Sequence, residues 1–131
     1  MTATAGKPRG GRRSRDKGKR GEQEALKILR SHFGGLWERR GAGEPGPDLI
    51  TPVWFPYAVE VKNVSTVKLR HLWHPTAQLF DYTEQAVKQA HDVGKLPLLC
   101  IKVESMWFAW TADIKNEPAF LLLDVWCARL I

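Results

Sequence analysis

Residues 57–62 constrain the fold of this chain more than any other segment. They read Tyr-Ala-Val-Glu-Val-Lys, so the large apolar side chains of Tyr57, Val59 and Val61 recur with a period of two. This period predicts a β-strand whose side chains point in turn to opposite faces of a sheet. One face would carry the tyrosine and both valines and pack against a core. The other face would present Glu60 and Lys62 side by side, so the sheet must carry a pair of opposite charges.

Helical and strand patterns alternate on both sides of this strand. Apolar residues recur at spacings of three and four from about Lys19 to His32, and Gly34-Gly35 predicts the end of that helix. A second helix is predicted from Pro75 to about Val93, and Gly94 ends it. Strands are predicted at residues 36–40, 48–50, 57–62, 96–103 and 107–111, while residues 120–131 fit either a strand or a short helix.

This order of elements indicates an α/β fold with a mixed central sheet flanked by helices. The net charge of +6 is concentrated at the N-terminus, where residues 1–21 contain eight cations and one anion. Residues 1–17 hold little that is apolar, which predicts a disordered basic arm attached to a single domain, residues 18–131. Such an arm suits a polyanion such as DNA, because neutralised phosphates release counterions. A solubilising tail is the alternative interpretation.

Three charged residues are predicted to converge at one end of the sheet. Asp48 opens the strand before residues 57–62, and a hairpin over residues 51–56 would bring it alongside Glu60, with Lys62 next to them. Mg²⁺ is commonly held by one or two carboxylates, several waters and a substrate phosphate, and a neighbouring lysine can offset charge in a transition state. Glu22, in the first turn of the first helix, could complete the metal shell. The pattern therefore favours phosphodiester hydrolysis.

An acid-x-Lys tripeptide is weak evidence by itself, because chance produces it in most chains of this length. A second example, Asp113-Ile114-Lys115, runs into a turn-like Asn-Glu-Pro segment, and no Pro-Asp strand start precedes it. We therefore set it aside. The alternative for Glu60 and Lys62 is a salt bridge on an exposed sheet face.

The order of motifs resembles the PD-(D/E)xK nuclease superfamily, in which Pro47-Asp48 and Glu60-Val61-Lys62 would be the two halves of the signature. Within the superfamily the chain is most similar to archaeal-type Holliday junction resolvases, including phage-encoded ones. The resemblance spans roughly residues 17–110 and implies a restriction-endonuclease-like core. Its further motifs are Lys17-Gly18 before the helical Glu22, Arg39-Arg40 before a glycine-rich loop at residues 41–47, and Gly94 before an apolar strand.

The resemblance also implies roles for individual residues. Gln85 on the second helix is a candidate auxiliary residue, with Gln78 as its competitor. Ala42 stands where relatives often have serine, so a hydroxyl role in that loop is not expected. The implied metal ligands are Glu22, Asp48, Glu60 and the Val61 carbonyl, Lys62 would serve the water or the transition state, and Lys17, Lys19, Arg20, Arg39 and Arg40 would bind nucleic acid.

The function expected from these features is a Mg²⁺-dependent endonuclease, with Mn²⁺ as a substitute ion. It would resolve four-way DNA junctions as a homodimer, by paired nicks that leave 5′-phosphate and 3′-hydroxyl ends. The alternatives are another PD-(D/E)xK nuclease, acting in repair, restriction or phage genome processing, and a non-catalytic basic nucleic-acid-binding protein. Isolated cysteines and a charged N-terminus favour a cytoplasmic location, in the host if the protein is phage-encoded.

Overall fold

The computed structural model describes residues 3–112 and 120–130, with side chains from Arg15 onward. Helices and groups of strands follow one another along the chain in the predicted order. The elements are α1 (Ala3–Phe33), β1 (Glu38–Arg39), β2 (Leu49–Ile50), β3 (Tyr57–Asn63), a 3₁₀ turn (Leu69–Leu72), α2 (Ala77–Asp92), β4 (Leu96–Val103), β5 (Met106–Thr111), β6 (Leu121–Leu122) and α3 (Leu123–Leu130).

A four-stranded sheet in the order β3-β4-β5-β6 forms the centre of the described fold. Strands β3 and β4 are parallel, and α2 makes the crossover that a parallel pair requires. The pairs β4–β5 and β5–β6 are antiparallel, so the sheet is mixed. The prediction of an α/β fold with a mixed sheet is therefore confirmed, and this topology is compatible with the predicted restriction-endonuclease-like core.

The alternation in β3 divides the core into two halves. Val59 and Val61 pack in the half that also contains Leu29 of α1. The opposite face of the sheet packs against α2, where Leu79 meets residues of β4 such as Leu99. Because helices cover both faces, Glu60 is enclosed on the α2 side and is only 2% exposed.

Glycines end both long helices where the sequence predicts it. Gly34 follows α1 with φ of 69°, and its N–H donates to the carbonyl of Arg30. Gly94 follows α2 and also has φ of 69°. Glycine adopts this left-handed conformation without a steric penalty, which explains its place at both helix ends. At the other end of α2, the side chain of Thr76 accepts a hydrogen bond from the Leu79 N–H and caps the helix.

The predicted hairpin between β2 and β3 is wrong. In the structure β2 pairs with β1 in a separate antiparallel ribbon, with Glu38 opposite Ile50. The physical reason lies in the connection, where Pro52 and Pro56 supply no N–H for a strand ladder. A turn closed by the Phe55 N–H and the Pro52 carbonyl instead buries the Phe55 ring.

The first helix begins earlier than predicted, at Ala3 rather than near Lys19. The backbone of residues 3–17 forms part of this helix, and the disorder that the sequence predicts for residues 1–17 stays a prediction. That this stretch serves as a basic arm for a polyanion stays a prediction. Residues 120–130 contain both alternatives, strand β6 and helix α3. Asp113-Ile114-Lys115 lies outside the described residues.

Cys100 and Cys127 are buried and form no disulfide. Over residues 3–112 and 120–130, no helix has the length and apolar character needed to cross a membrane.

Candidate active site

Asp48 lies immediately before β2, and its side chain is fixed by β3. Its Oδ2 accepts a hydrogen bond from the Val61 N–H at 2.8 Å. Its backbone carbonyl accepts from the Arg40 N–H at 2.9 Å, which ties it to the end of β1. The two halves of the predicted motif therefore meet, although a side-chain contact rather than a strand ladder joins them.

Glu60 precedes Val61 on β3 and is a buried carboxyl beside Asp48. The side chains of Glu60 and Asp48 are close enough that each affects the pKa of the other. The Oε1 atom of Glu60 has no hydrogen-bond partner among the described residues. Leaving a buried polar atom unpaired costs free energy, so such an atom calls for a ligand or another explanation.

The two carboxyl groups perturb each other. Burial, and then the negative charge of Asp48, raise the pKa of Glu60 to about 8, while the Lys62 ammonium opposes the shift. Burial also raises the pKa of Asp48, against the lowering effect of the Val61 N–H and of Lys62. A bound cation would offset the cost of ionising these two carboxyls, because it stabilises both carboxylates in their charged form.

The donor set fits a magnesium ion held by two carboxylates. Mg²⁺ takes oxygen ligands and often keeps several waters, so the Asp48–Glu60 pair is sufficient protein ligation. The N–H and the carbonyl of a strand residue point to the same side, so the Val61 carbonyl faces the side on which Asp48 lies. Among the described residues there is no cluster of three or more His, Cys, Asp or Glu side chains placed to hold a metal ion.

Lys62 shares the face of β3 that carries Glu60, as the alternation predicts. Its Nζ atom lies 4.9 Å from the centre of the Tyr82 ring on α2. The positive charge of the ammonium opposes the upward pKa shifts of both Asp48 and Glu60, so it acts on both carboxyls. The arrangement brings two acids and one base together.

Glu22 reaches the same region from α1. It lines a cleft together with Asp48, whose charge adds to burial in raising the pKa of Glu22. Arg39 opposes this shift, and its Nε lies 3.1 Å from Glu22 Oε1 in an ion pair. A metal-binding role for Glu22 stays a prediction.

A cleft of about 290 Å³, lined by both cations and carboxylates, lies between α1 and the glycine-rich loop. Four cationic side chains line it, and Arg40 is also fixed by donating from Nε to the Pro47 carbonyl at 2.6 Å. Ala42 lies in the loop wall and is exposed. The four cations are Arg15, Lys19, Arg39 and Arg40.

The remaining predicted contacts lie elsewhere on the surface. Lys17 lines a different groove, with Asn63, Lys68 and Lys102, and Arg20 is exposed. Nucleic-acid binding by the cationic residues stays a prediction.

Gln85 and Gln78 have different surroundings, which the sequence did not distinguish. Gln85 is exposed and lines a groove with Pro45 and Gly46. Gln78 donates from Nε2 to the Tyr82 hydroxyl at 2.8 Å, and this tyrosine contacts Lys62. Sequence reasoning missed Tyr82 altogether. The available signal was its position four residues after Gln78, on the same side of the predicted helix.

The site geometry agrees with the result of comparison with known families. Residues 13–112 of the 131 match the model of the family described as "Phage putative PDDEXK endonuclease". This chain belongs to that PD-(D/E)xK endonuclease family. The match includes Glu22, Asp48, Glu60 and Lys62. PD-(D/E)xK nucleases generally use divalent metal ions, and a nuclease binds DNA. No curated protein matches the chain significantly.

Proposed function

We propose that this endonuclease hydrolyses DNA phosphodiester bonds with Mg²⁺ held by Asp48, Glu60 and the Val61 carbonyl. One observation carries the proposal: the buried carboxyl of Glu60 lies beside the half-buried carboxyl of Asp48, and Glu60 Oε1 has no hydrogen-bond partner among the described residues. This arrangement is unfavourable without a cation and favourable with one. Mn²⁺ should substitute, because it also favours oxygen ligands.

The protein residues divide the chemistry between them. When bound, the ion would polarise the scissile phosphate and acidify a water molecule. Asp48 and Glu60 would hold the ion, and the hydrogen bond from the Val61 N–H fixes the position of the Asp48 side chain. The Lys62 ammonium offsets negative charge that develops on the phosphate or orients the attacking water. Glu22, held by Arg39, adds a further carboxylate at the cleft. The expected products carry 5′-phosphate and 3′-hydroxyl ends.

The proposed substrate is a four-way DNA junction, cut by a homodimer. The series of motifs from Lys17-Gly18 to Lys62 supports this choice through its resemblance to junction resolvases. A junction has near two-fold symmetry and needs paired nicks, which a C2 dimer with two active sites would supply. Four cationic side chains in the cleft beside Asp48 give each site contacts for the DNA backbone. The action would take place in the host cytoplasm.

A substrate competition tests this proposal. Purified protein with Mg²⁺ is given a labelled four-way junction mixed with a linear duplex and a single strand of the same sequences. We expect paired nicks in the junction while the linear duplex and single strand stay intact. Preferential cutting of either linear substrate would contradict junction resolution and leave the nuclease chemistry standing.

The phage family favours a second candidate function. A PD-(D/E)xK nuclease of a phage could process the phage genome, repair DNA or act in restriction. This candidate predicts cleavage of linear or damaged duplex in the same competition. The third hypothesis, a non-catalytic DNA-binding protein, predicts no Mg²⁺-dependent cleavage of any of the substrates.

A further inference from the structure

The aromatic ring of Tyr82 lies against the proposed catalytic lysine. The distance of 4.9 Å from Lys62 Nζ to the ring centre is within the roughly 6 Å over which a ring attracts a cation. Both side chains are half-buried, which strengthens the attraction relative to an exposed pair. Tyr82 also packs against the core half between α2 and the sheet.

Two consecutive hydrogen bonds fix the hydroxyl end of the Tyr82 side chain. Gln78 Nε2 donates to the Tyr82 hydroxyl at 2.8 Å, one helical turn away on α2. The other end of the same amide, Gln78 Oε1, accepts from Thr66 Oγ1 at 2.9 Å. Thr66 lies in the segment that follows β3, so these bonds connect that segment to α2 and hold the ring beside the strand that carries Lys62.

Lysine needs such support because its ammonium is at the end of a flexible four-carbon stem. No carboxylate oxygen of the described residues lies within 4.0 Å of Lys62 Nζ. An aromatic ring attracts the charge without using a carboxylate as acceptor, so the ammonium keeps N–H donors for water or phosphate.

We propose that Tyr82 is a positioning residue for Lys62, and that Gln78 and Thr66 fix its ring. The inference rests on the proposed role of Lys62 in cleavage. Tyr82 would act through the lysine and would not itself contact the reacting atoms. Its contribution depends on the ring, so phenylalanine should replace it and leucine should not.

The first test compares single-turnover cleavage by three variants. Tyr82→Leu removes the ring and should slow cleavage about tenfold, within the range of measured cation–π energies. Tyr82→Phe keeps the ring and should stay within about threefold of wild type. Phe80→Leu is the matched control, because Phe80 is an exposed aromatic on the same helix. It should cleave at the wild-type rate.

A double-mutant cycle separates positioning from general damage to the fold. In a Lys62→Met background, Tyr82→Leu should cause no further loss, because the ring then has no cation to hold. If the two losses multiply, Tyr82 acts independently of the lysine and the inference is wrong. If Lys62→Met cleaves at the wild-type rate, the proposed role of Lys62 fails instead.

A spectroscopic measurement does not depend on activity. In metal-free protein with ¹³C-labelled lysine, a ring above the side chain should shift the terminal methylene protons of Lys62 upfield. The Lys62→Met spectrum assigns the signal. The shift should persist in Tyr82→Phe and disappear in Tyr82→Leu. If wild type shows no such shift, Lys62 does not lie against the ring, and the inference is overturned even if Tyr82→Leu fails to fold.

Discussion

Asp48 Oδ2 accepts a hydrogen bond from the Val61 N–H at 2.8 Å, across a gap that no strand pairing of the described residues bridges. This bond places Asp48 beside Glu60, the residue immediately before Val61. The ligand pair therefore depends on one side-chain contact rather than on a continuous sheet. Strand β2 is free to pair with β1, and the glycine-rich loop at residues 41–47 connects these two strands.

The Asp48–Val61 bond should be measurable as stability. An asparagine at position 48 can still accept from the Val61 N–H, whereas leucine leaves that N–H unpaired. We expect Asp48→Leu to be less stable than Asp48→Asn by about 1–3 kcal/mol. Urea unfolding of both variants in metal-free buffer measures the difference. Equal stability would show that the bond contributes nothing to the fold.

The raised pKa of Glu60 predicts how metal-free stability changes with pH. Between the ordinary pKa of 4.5 and about 8, the folded protein binds more protons at this group than the unfolded chain does. The free energy of unfolding should therefore fall as pH rises through that window. Glu60→Gln should flatten this fall, as urea unfolding in EDTA at pH 5 and pH 8 would show.

Glu24→Gln provides the control for that experiment. Hydrogen bonding to Lys102 lowers the pKa of Glu24, so its contribution to stability is present above the ordinary pKa and is lost at lower pH. Glu24→Gln should therefore not alter the change in the free energy of unfolding between pH 5 and pH 8. The same fall in wild type and Glu60→Gln would rule out Glu60 as its source.

Gly21 allows α1 to approach β3 closely enough to deliver Glu22. A Cβ at position 21 would lie 2.6 Å from the Cβ of Asn63, so one of the two backbones must shift. We expect Gly21→Ala to destabilise the protein by about 1–3 kcal/mol, as overpacking does. At Gly18 an added Cβ meets nothing within 4 Å, so Gly18→Ala should instead stabilise it by up to about 1 kcal/mol. Thermal unfolding of both variants checks this, and matching melting temperatures would contradict the close approach.

Removal of residues 1–14 should separate DNA affinity from chemistry. The segment carries four cations and no anion, and it leaves Arg15 in the cleft. The slope of log affinity against log salt should decrease in magnitude by up to about 3.6, because each of four neutralised phosphates contributes about 0.9 to it. The rate of cleavage at saturating protein should not change. Filter binding over a salt series measures the slope, and an unchanged slope would mean that these cations do not bind DNA.

The sequence predicts most of the framework because local patterns specify it. The period of two in β3, the apolar run of β4 and the glycines after both long helices need no knowledge of distant residues. The pairing of β2 with β1 was missed because it depends on how two prolines direct the connection to β3. Such pairings depend on tertiary context rather than on local pattern.

The local sequence of α2 does not predict which of its two candidate glutamines lies near Lys62. Gln78 and Gln85 are seven residues apart, so the helical period places them on nearly the same side. They differ by two turns, about 10 Å, along the axis. Only the packing of α2 on the sheet decides which of them joins Tyr82 near Lys62. The ion pair between Arg39 and Glu22 is likewise a long-range contact, which no local spacing indicates.

Cleavage of labelled DNA by wild type and Asp48→Asn, with Mg²⁺ or with EDTA, tests the central claim most directly. The substrates are a four-way junction and linear DNA, so the test does not depend on which of them is preferred. We predict Mg²⁺-dependent cleavage by wild type, loss of cleavage in Asp48→Asn, and DNA binding largely retained by the variant. Equal cleavage by the two proteins, or wild-type cleavage that persists in EDTA, would contradict a metal site built on Asp48 and Glu60.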